Sequence, residues 1–253
     1  MTEAIDAAKK YHIAGEFLTI EEIRRKLVGP KCSRYRATVP LVSGQRLLDI
    51  GCGVGGFAEA FQAQVAEIVG IDSDPDAVAV AEVLYGGERV RFVRGELLSI
   101  GFPDNSFDCV TFLECIEHVP APQSYLEEIY RILKPGGTLV LSTPNAFFYT
   151  LFFKNLLRFS KKWAMTELRK IETEKPYSGT EKDHIYLWDL PTLYRLLYRQ
   201  GFCLLEYRFV GAPPLGPCRR WWKGEWGILE VIAKPFLSTL LLKLEKRSLL
   251  TVS

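Results

Sequence analysis

The sequence predicts an α/β fold, a mostly parallel sheet with helices on both of its faces. Three observations predict it. Short apolar runs alternate with segments of helical period from Leu47 to Ser142, the pattern of repeated strand–helix–strand units. The first run passes straight into Gly51, Gly53, Gly55 and Gly56, a turn where backbone can approach a ligand closely because no Cβ intervenes. The alternation breaks off after Thr143-Pro-Asn145 and regularity returns at Asp189. The expected architecture is a Rossmann-like sheet of seven strands, with an N-terminal helical cap (1–43), a main domain (44–253) and an inserted lid at about 146–187.

The elements follow in order. Residues 1–43 read as helical: Thr19-Ile-Glu-Glu22 fits a capping box, and Ile20, Ile23 and Leu27 fall at helical spacing. Leu47 to Ile50 is the first strand of the sheet, and Phe57-Ala-Glu-Ala-Phe61 starts a helix. Glu67-Ile-Val-Gly-Ile-Asp72 is the second strand, followed by a helix that Asp74 caps and Pro75 opens. Val90 to Arg94 and Phe107 to Phe112 are the third and fourth. Pro122 opens a helix with Tyr125, Leu126, Ile129, Ile132 and Leu133 on one face, and Lys134-Pro-Gly-Gly137 ends it. Thr138 to Ser142 is the fifth strand. Asp189 caps a further helix that stops at Gly201, Phe202 to Val210 is the sixth strand, and a helix near Ile228 to Ala233 leads to a last strand, Leu237 to Glu245.

Composition sets limits. The chain has 253 residues, 48% hydrophobic and 25% charged, ordinary values for a globular protein with one core. The N-terminus has no basic region leading into an apolar run, so no secretory leader is expected. The longest apolar stretch, Ile228 to Leu244, is broken by Glu230, Lys234, Pro235 and Lys243 and is too interrupted to span a bilayer. The six cysteines show no C-x-x-C pair, so reduced thiols and a cytoplasmic setting are expected. Charge is uneven. Residues 1–144 hold 14 Lys+Arg against 20 Asp+Glu, and residues 145–253 hold 18 against 10. The basic half suits an anionic acceptor or surface, or simply solvates exposed helices.

The glycine turn admits two cofactor classes. Gly51, Gly53 and Gly56 satisfy the G-x-G-x-x-G of nicotinamide and flavin enzymes. Asp49, at the strand end just before the turn, argues against a pyrophosphate, which it would repel. It favours a cationic ligand, and S-adenosylmethionine (SAM) carries an ammonium and a sulfonium and no phosphate. Asp72 ends the second strand, 21 residues after Gly51, where a carboxylate can accept both ribose hydroxyls of either nucleoside.

Leu48-Asp-Ile-Gly-Cys-Gly-Val-Gly55 resembles the first motif of class I SAM-dependent methyltransferases. Thr111-Phe-Leu-Glu-Cys-Ile-Glu-His-Val-Pro120 is similar to the Glu-x-x-Glu-His-Val segment of the ubiquinone-biosynthesis type of small-molecule methyltransferase, a pattern that nicotinamide dehydrogenases lack. Lys134-Pro-Gly-Gly137 and Ser142-Thr-Pro-Asn145 extend the resemblance, which covers about 44–145 closely and 184–210 loosely. It implies a SAM site built from Asp49, Gly51, Cys52, Gly53, Gly55, Asp72, Ser73, Glu96, Leu97 and Leu113. The family usually places Asp or Asn after Gly95, where the side chain reaches the adenine amine; Glu96 is longer.

Methyl transfer from a sulfonium mainly requires alignment and exclusion of water. A hydroxyl acceptor must also lose a proton, and His118, beside Glu117, is the candidate general base. Its alternative role is to hold the loop before the Pro122 helix. Glu114, Glu117, His118 and, further on, His184 could instead hold a divalent metal that lowers the pKa of the acceptor hydroxyl.

Phe147 to Trp163 is aromatic and basic, with Lys154, Arg158, Lys161 and Lys162 on one side of a helical reading. This suits a lid over an apolar or lipid-linked small-molecule acceptor, or peripheral contact with a membrane surface. Such interleaving also permits RNA contact, although no dedicated RNA module is visible. The expected activity is methylation of an oxygen on a quinone or isoprenoid precursor or a glycan. The alternatives are metal-assisted ribose methylation of RNA, an NAD-dependent oxidoreductase and a non-catalytic SAM-binding module.

Overall fold

The computed structural model describes residues 10–13, 16–27, 33–146, 184–211 and 239–247. Strands β3 (Arg46–Ile50), β4 (Glu67–Asp72), β5 (Val90–Arg94), β6 (Phe107–Leu113), β7 (Leu133–Pro144), β8 (Phe202–Val210) and β9 (Thr239–Lys246) form one seven-stranded sheet in the order β5-β4-β3-β6-β7-β9-β8. The pairs from β5 across to β7 are parallel; β9 runs antiparallel to both β7 and β8. The Rossmann-like expectation holds, and the last strand in sequence inserts between β7 and β8.

The central strands are apolar on both faces because both faces are covered. Alternate side chains divide between two clusters. Leu48, Ile50, Val110, Phe112, Leu139 and Leu141 pack with Leu126 and Ile129 of α6 (Pro122–Ile132) and Leu193 and Leu197 of α7 (Leu190–Arg199). Leu47, Ile68, Cys109 and Val140 face the other way, onto Leu41 and onto Ala58 and Phe61 of the short helix α3 (Ala58–Phe61). Burying each such large side chain contributes about 1.5–3 kcal/mol, so the register of the sheet is set by which half of each run meets which helix.

The caps lie where expected. Asp74 accepts from the amides of Asp76 and Ala77 at the start of α4 (Pro75–Tyr85), and Asp189 accepts from Thr192 N at the start of α7. Thr19 and Glu22 form the reciprocal box that starts α1 (Ile20–Leu27): Thr19 N donates to Glu22 Oε2 at 2.9 Å, and Glu22 N donates to Thr19 Oγ1 at 3.3 Å.

Three expectations need correction. The N-terminal cap is not all helical. An antiparallel hairpin, β1 (Lys10–Ile13) with β2 (Glu16–Thr19), precedes α1 and α2 (Ser33–Thr38). Aromatic and β-branched residues on both sides of Gly15 are a hairpin signal, which the helical spacing of the next eight residues masked. Lys134 to Gly137 does end α6, but it opens no loop between helix and strand. The strand β7 begins at Leu133, and Lys134 to Gly137 bulge out between the pairs Phe107↔Leu133 and Cys109↔Thr138. Lys134 Nζ donates to Asp108 Oδ1 at 2.7 Å instead of capping the helix. Partial burial works against ionisation of Asp108, but Lys134 and the amides of Arg46 and Gln45 outweigh it and hold the carboxyl below its ordinary range. Finally, the last strand, whose described residues begin at Thr239, runs on to Lys246, one residue past the expected end.

The aromatic, basic stretch from Phe147 to Trp163, and the expected helix near Ile228, lie outside the described residues. Among the described residues no helix is long and apolar enough to cross a membrane, and Cys52, Cys109, Cys115 and Cys203 are free thiols.

Candidate functional site

The strand order reverses at β3, whose neighbours are β4 and β6. A crevice opens at the carboxyl ends of strands at such a switch point, and the glycine turn occupies it. Gly51 N and Cys52 N both donate to Ile71 O, at 2.8 and 3.0 Å, tying the turn to β4. Gly51 has φ +71°, and a Cβ there would lie 2.2 Å from Cys115 Sγ. Gly53 has φ +52°, with no atom within 4 Å of where its Cβ would be. The first glycine is demanded by packing and backbone together; the second leaves open space.

That space is a cavity of about 480 Å³. The turn supplies Gly51, Gly53 and Val54, the end of β4 supplies Asp72, Ser73 and Asp74, and the loop after β5 supplies Gly95, Glu96 and Leu97. The rest of the wall includes Phe112, Glu114, Cys115, His118, Val119, Pro120 and Tyr125. Of the residues expected around a cofactor, Gly51, Gly53, Asp72, Ser73, Glu96 and Leu97 line this cavity, while Asp49, Cys52, Gly55 and Leu113 are not on its wall. Gly55 is a packing residue: a Cβ would meet Phe92, Tyr85 and Ala81 at 2.9–3.1 Å. Cys52 and Leu113 are buried at 9% exposure.

Electrostatics in the crevice centre on two carboxyls. Asp72 Oδ2 accepts from Gly53 N at 2.8 Å and Oδ1 from Asp74 N at 3.0 Å. Burial still raises its pKa above the ordinary value, against the pull of those two bonds. Asp49 is 5% exposed, with its Oδ1 accepting from Thr111 Oγ1 at 2.6 Å. Burial pushes its pKa up to about 7, opposed by the Thr111 bond and reinforced by Asp72. A carboxyl in this state is a latent anion, which an approaching cation draws into its charged form. Burial also raises Cys52 and Cys115, which therefore stay thiols.

The end of β6 carries the other half of the site. Glu114 has φ +53° without being glycine, a strained conformation that clusters at functional sites. Its N–H donates to Ser142 O at 2.9 Å, and its Oε1 accepts from Ser142 Oγ at 2.8 Å. Glu117 is 1% exposed, with Oε2 accepting from Thr143 Oγ1 at 2.8 Å. The Glu117 carbonyl accepts from Ile185 N and Tyr186 N, at 2.8 and 3.2 Å, and Ala146 N donates to Trp188 O at 2.9 Å. These bonds dock the segment after the insertion onto β7 and the Glu117 loop. They bring the His184 ring to 4.8 Å from that of His118.

Glu117, His118 and His184 thus offer ligand atoms that all lie within 4.8 Å of one another. A carboxylate and two imidazoles are a donor set that suits a divalent transition metal, so the residues present fit such an ion. Glu114 is not part of this group. Phe112, Val119 and Pro120 belong to the Thr111–Pro120 stretch and also line the wall, although the sequence gives none of them a role of its own. Tyr125 is a wall residue that the sequence marks only as part of the apolar face of a helix, and no local signal says that it also faces a cavity.

Comparison with known proteins bears on the family and the fold. A family model described as a methyltransferase domain matches residues 20–207. A sterol 24-C-methyltransferase of Yarrowia lipolytica is 41% identical over 99 residues, covering 37% of this chain and 26% of the relative. A ubiquinone biosynthesis O-methyltransferase of Pseudomonas putida is 40% identical over 108 residues, covering 41% of this chain and 46% of the relative. The matched region therefore spans less than half the length of either relative. Among solved structures, an S-adenosylmethionine-dependent methyltransferase from Mesorhizobium loti shares the fold, with a TM-score of 0.58 at 20% identity over 84% of this chain and 95% of that one.

Proposed function

We propose that this chain, which belongs to the methyltransferase-domain family, transfers the methyl group of SAM to an oxygen of a small, partly apolar or lipid-linked acceptor. One observation carries the reading: His118 lines the same cavity as the glycine turn and Asp72, with His184 beside it. A nucleoside on Asp72, with its sulfonium end towards Glu114 and His118, would present its methyl group at the imidazole pair. Ile185 and Leu187, one and three residues after His184, are 56% and 44% exposed and would offer apolar surface to such an acceptor.

In the reaction the acceptor oxygen attacks the methyl carbon in line. The C–O bond forms as the C–S bond breaks, the sulfonium leaves as a neutral thioether, and His118 takes the hydroxyl proton. The relatives named above include both a carbon- and an oxygen-directed enzyme. The imidazole at the cavity wall favours oxygen, because a hydroxyl must be deprotonated as it attacks.

Metal assistance is the second reading, favoured by the grouping of Glu117, His118 and His184. Those three residues would hold the ion, which when bound would lower the pKa of the acceptor hydroxyl.

The test is methyl transfer from labelled SAM to separate pools of quinone precursors, sterols, glycolipids and RNA. Label is expected in an O-methylated quinone precursor or glycolipid. His118→Ala should lower kcat by about 10²–10⁴-fold while SAM affinity stays within a factor of three or so. Label in the RNA pool alone, or an unchanged kcat in His118→Ala, would overturn the reading. Activity that survives chelation and Glu117→Gln removes the metal.

A further inference from the structure

We propose that Tyr125 is a positioning residue that makes the cavity selective for a nucleobase carrying an amino group, by fixing the carboxylate of Glu96. The inference rests on the SAM reading and names how that cofactor's base is chosen. Glu96 sits at the N-terminal edge of α5 (Leu97–Ile100), yet its side chain makes no capping bond to the helix. Its Oε2 instead accepts from Tyr125 Oη at 2.5 Å, across 29 residues of sequence. Both residues line the cavity, as do Asp72 and Ser73, where a ribose would lie.

The tyrosine cannot easily move. It is 7% exposed, in the first turn of α6, and its ring stacks on the fully buried Phe112 with centroids 6.0 Å apart and planes 9° from parallel. Glu96, by contrast, is an exposed side chain with three rotatable bonds. Left alone it would sample many orientations, and a ligand would have to order it on binding. The phenol has one proton and gives it to Oε2. The remaining acceptor capacity of the carboxylate is then held ready for an N–H donor on the ligand. A 6-amino purine offers that donor. A 6-oxo purine offers a carbonyl there and carries its N–H at N1 instead; a carboxylate held in place by Tyr125 meets acceptor with acceptor, and a site built to hydrogen-bond one group rejects the analogue lacking it at that position.

The experiment is calorimetric binding of S-adenosylhomocysteine and its 6-oxo counterpart, S-inosylhomocysteine. The proteins are wild type, Tyr125→Phe, Glu96→Ala and the double variant. Wild type should prefer the adenosyl form by at least about tenfold, the worth of one hydrogen bond to a charged group. Tyr125→Phe should weaken adenosyl binding roughly tenfold and reduce the preference. In the Glu96→Ala background it should change nothing further. Equal weakening of both ligands, an unchanged preference, or full additivity of the two substitutions would overturn the proposal. If Tyr125→Phe does not fold, Glu96→Ala decides alone, and retention of the preference overturns the proposal. If wild type binds neither ligand, the SAM reading fails and the proposal with it. If it binds both equally, the Tyr125 role alone fails.

Discussion

Folding places the Asp49 carboxyl at 5% exposure, with Thr111 Oγ1 donating to it at 2.6 Å, and pushes its pKa from an ordinary carboxylate value up to about 7. The sign follows directly. An acid with a raised native pKa favours the folded state while it is protonated, and that contribution is lost as pH rises from about 4 through about 7. Asp49→Asn keeps an acceptor for Thr111 and removes the ionisation. The variant should therefore lack a decline in stability, on the order of a few kcal/mol, that wild type shows between those pH values in urea unfolding. A bound sulfonium and ammonium favour the ionised carboxyl, so SAM affinity in wild type should rise between pH 6 and 8 and stay flat in Asp49→Asn. Matching pH profiles for the two proteins would contradict this account. Asp49 was legible from its place before the glycine turn. Its partner Thr111, and hence its near-neutral pKa, was not, because 62 residues separate the two in sequence.

The glycine turn illustrates the element scale. Four glycines looked equivalent in sequence, yet their surroundings differ. Gly51 is pressed against Cys115, Gly55 against Phe92, and Gly53 faces open space. Gly51→Ala must displace a sulfur from a neighbouring loop and adopt a left-handed φ, so a loss of about 3 kcal/mol or more is expected. Gly53→Ala carries only the left-handed penalty, about 1–2 kcal/mol, but sets a methyl in the cavity and should lower SAM affinity at least tenfold or so. Denaturant midpoints and calorimetry separate the two effects; variants alike in both measurements would refute the distinction. The same scale explains the misread N-terminus. Periodicity over Ile20 to Leu27 was strong and correctly placed α1 and its Thr19–Glu22 box, but short strands on either side of a glycine carry a weaker signal. Lys134 to Gly137 reads as a helix stop and is one; that it is also a bulge in β7 depends on pairing with β6.

At the scale of the whole molecule, the cavity wall draws on residues from Ile50 to Tyr125, spread over the glycine turn, the ends of β4 and β6, the start of α6 and the loop after β5. Such a site exists only in the folded chain, so its ligand binds native protein alone and shifts the unfolding equilibrium. At a hundredfold excess over Kd, S-adenosylhomocysteine should add about 2.7 kcal/mol. Unfolding should then move upward by a few degrees in a thermal melt, and NADH should move it not at all. The reverse ranking of the two ligands would restore the oxidoreductase reading. Sequence alone determined the alternation of strands and helices from β3 to β7, their caps, the glycine turn and the family resemblance, because each is written in residues a few positions apart. The tertiary structure alone decided that His184 meets His118, that Tyr125 holds Glu96, and that Asp49 is a near-neutral acid. Each of those depends on burial or on contact between distant segments, and neither is encoded in local spacing.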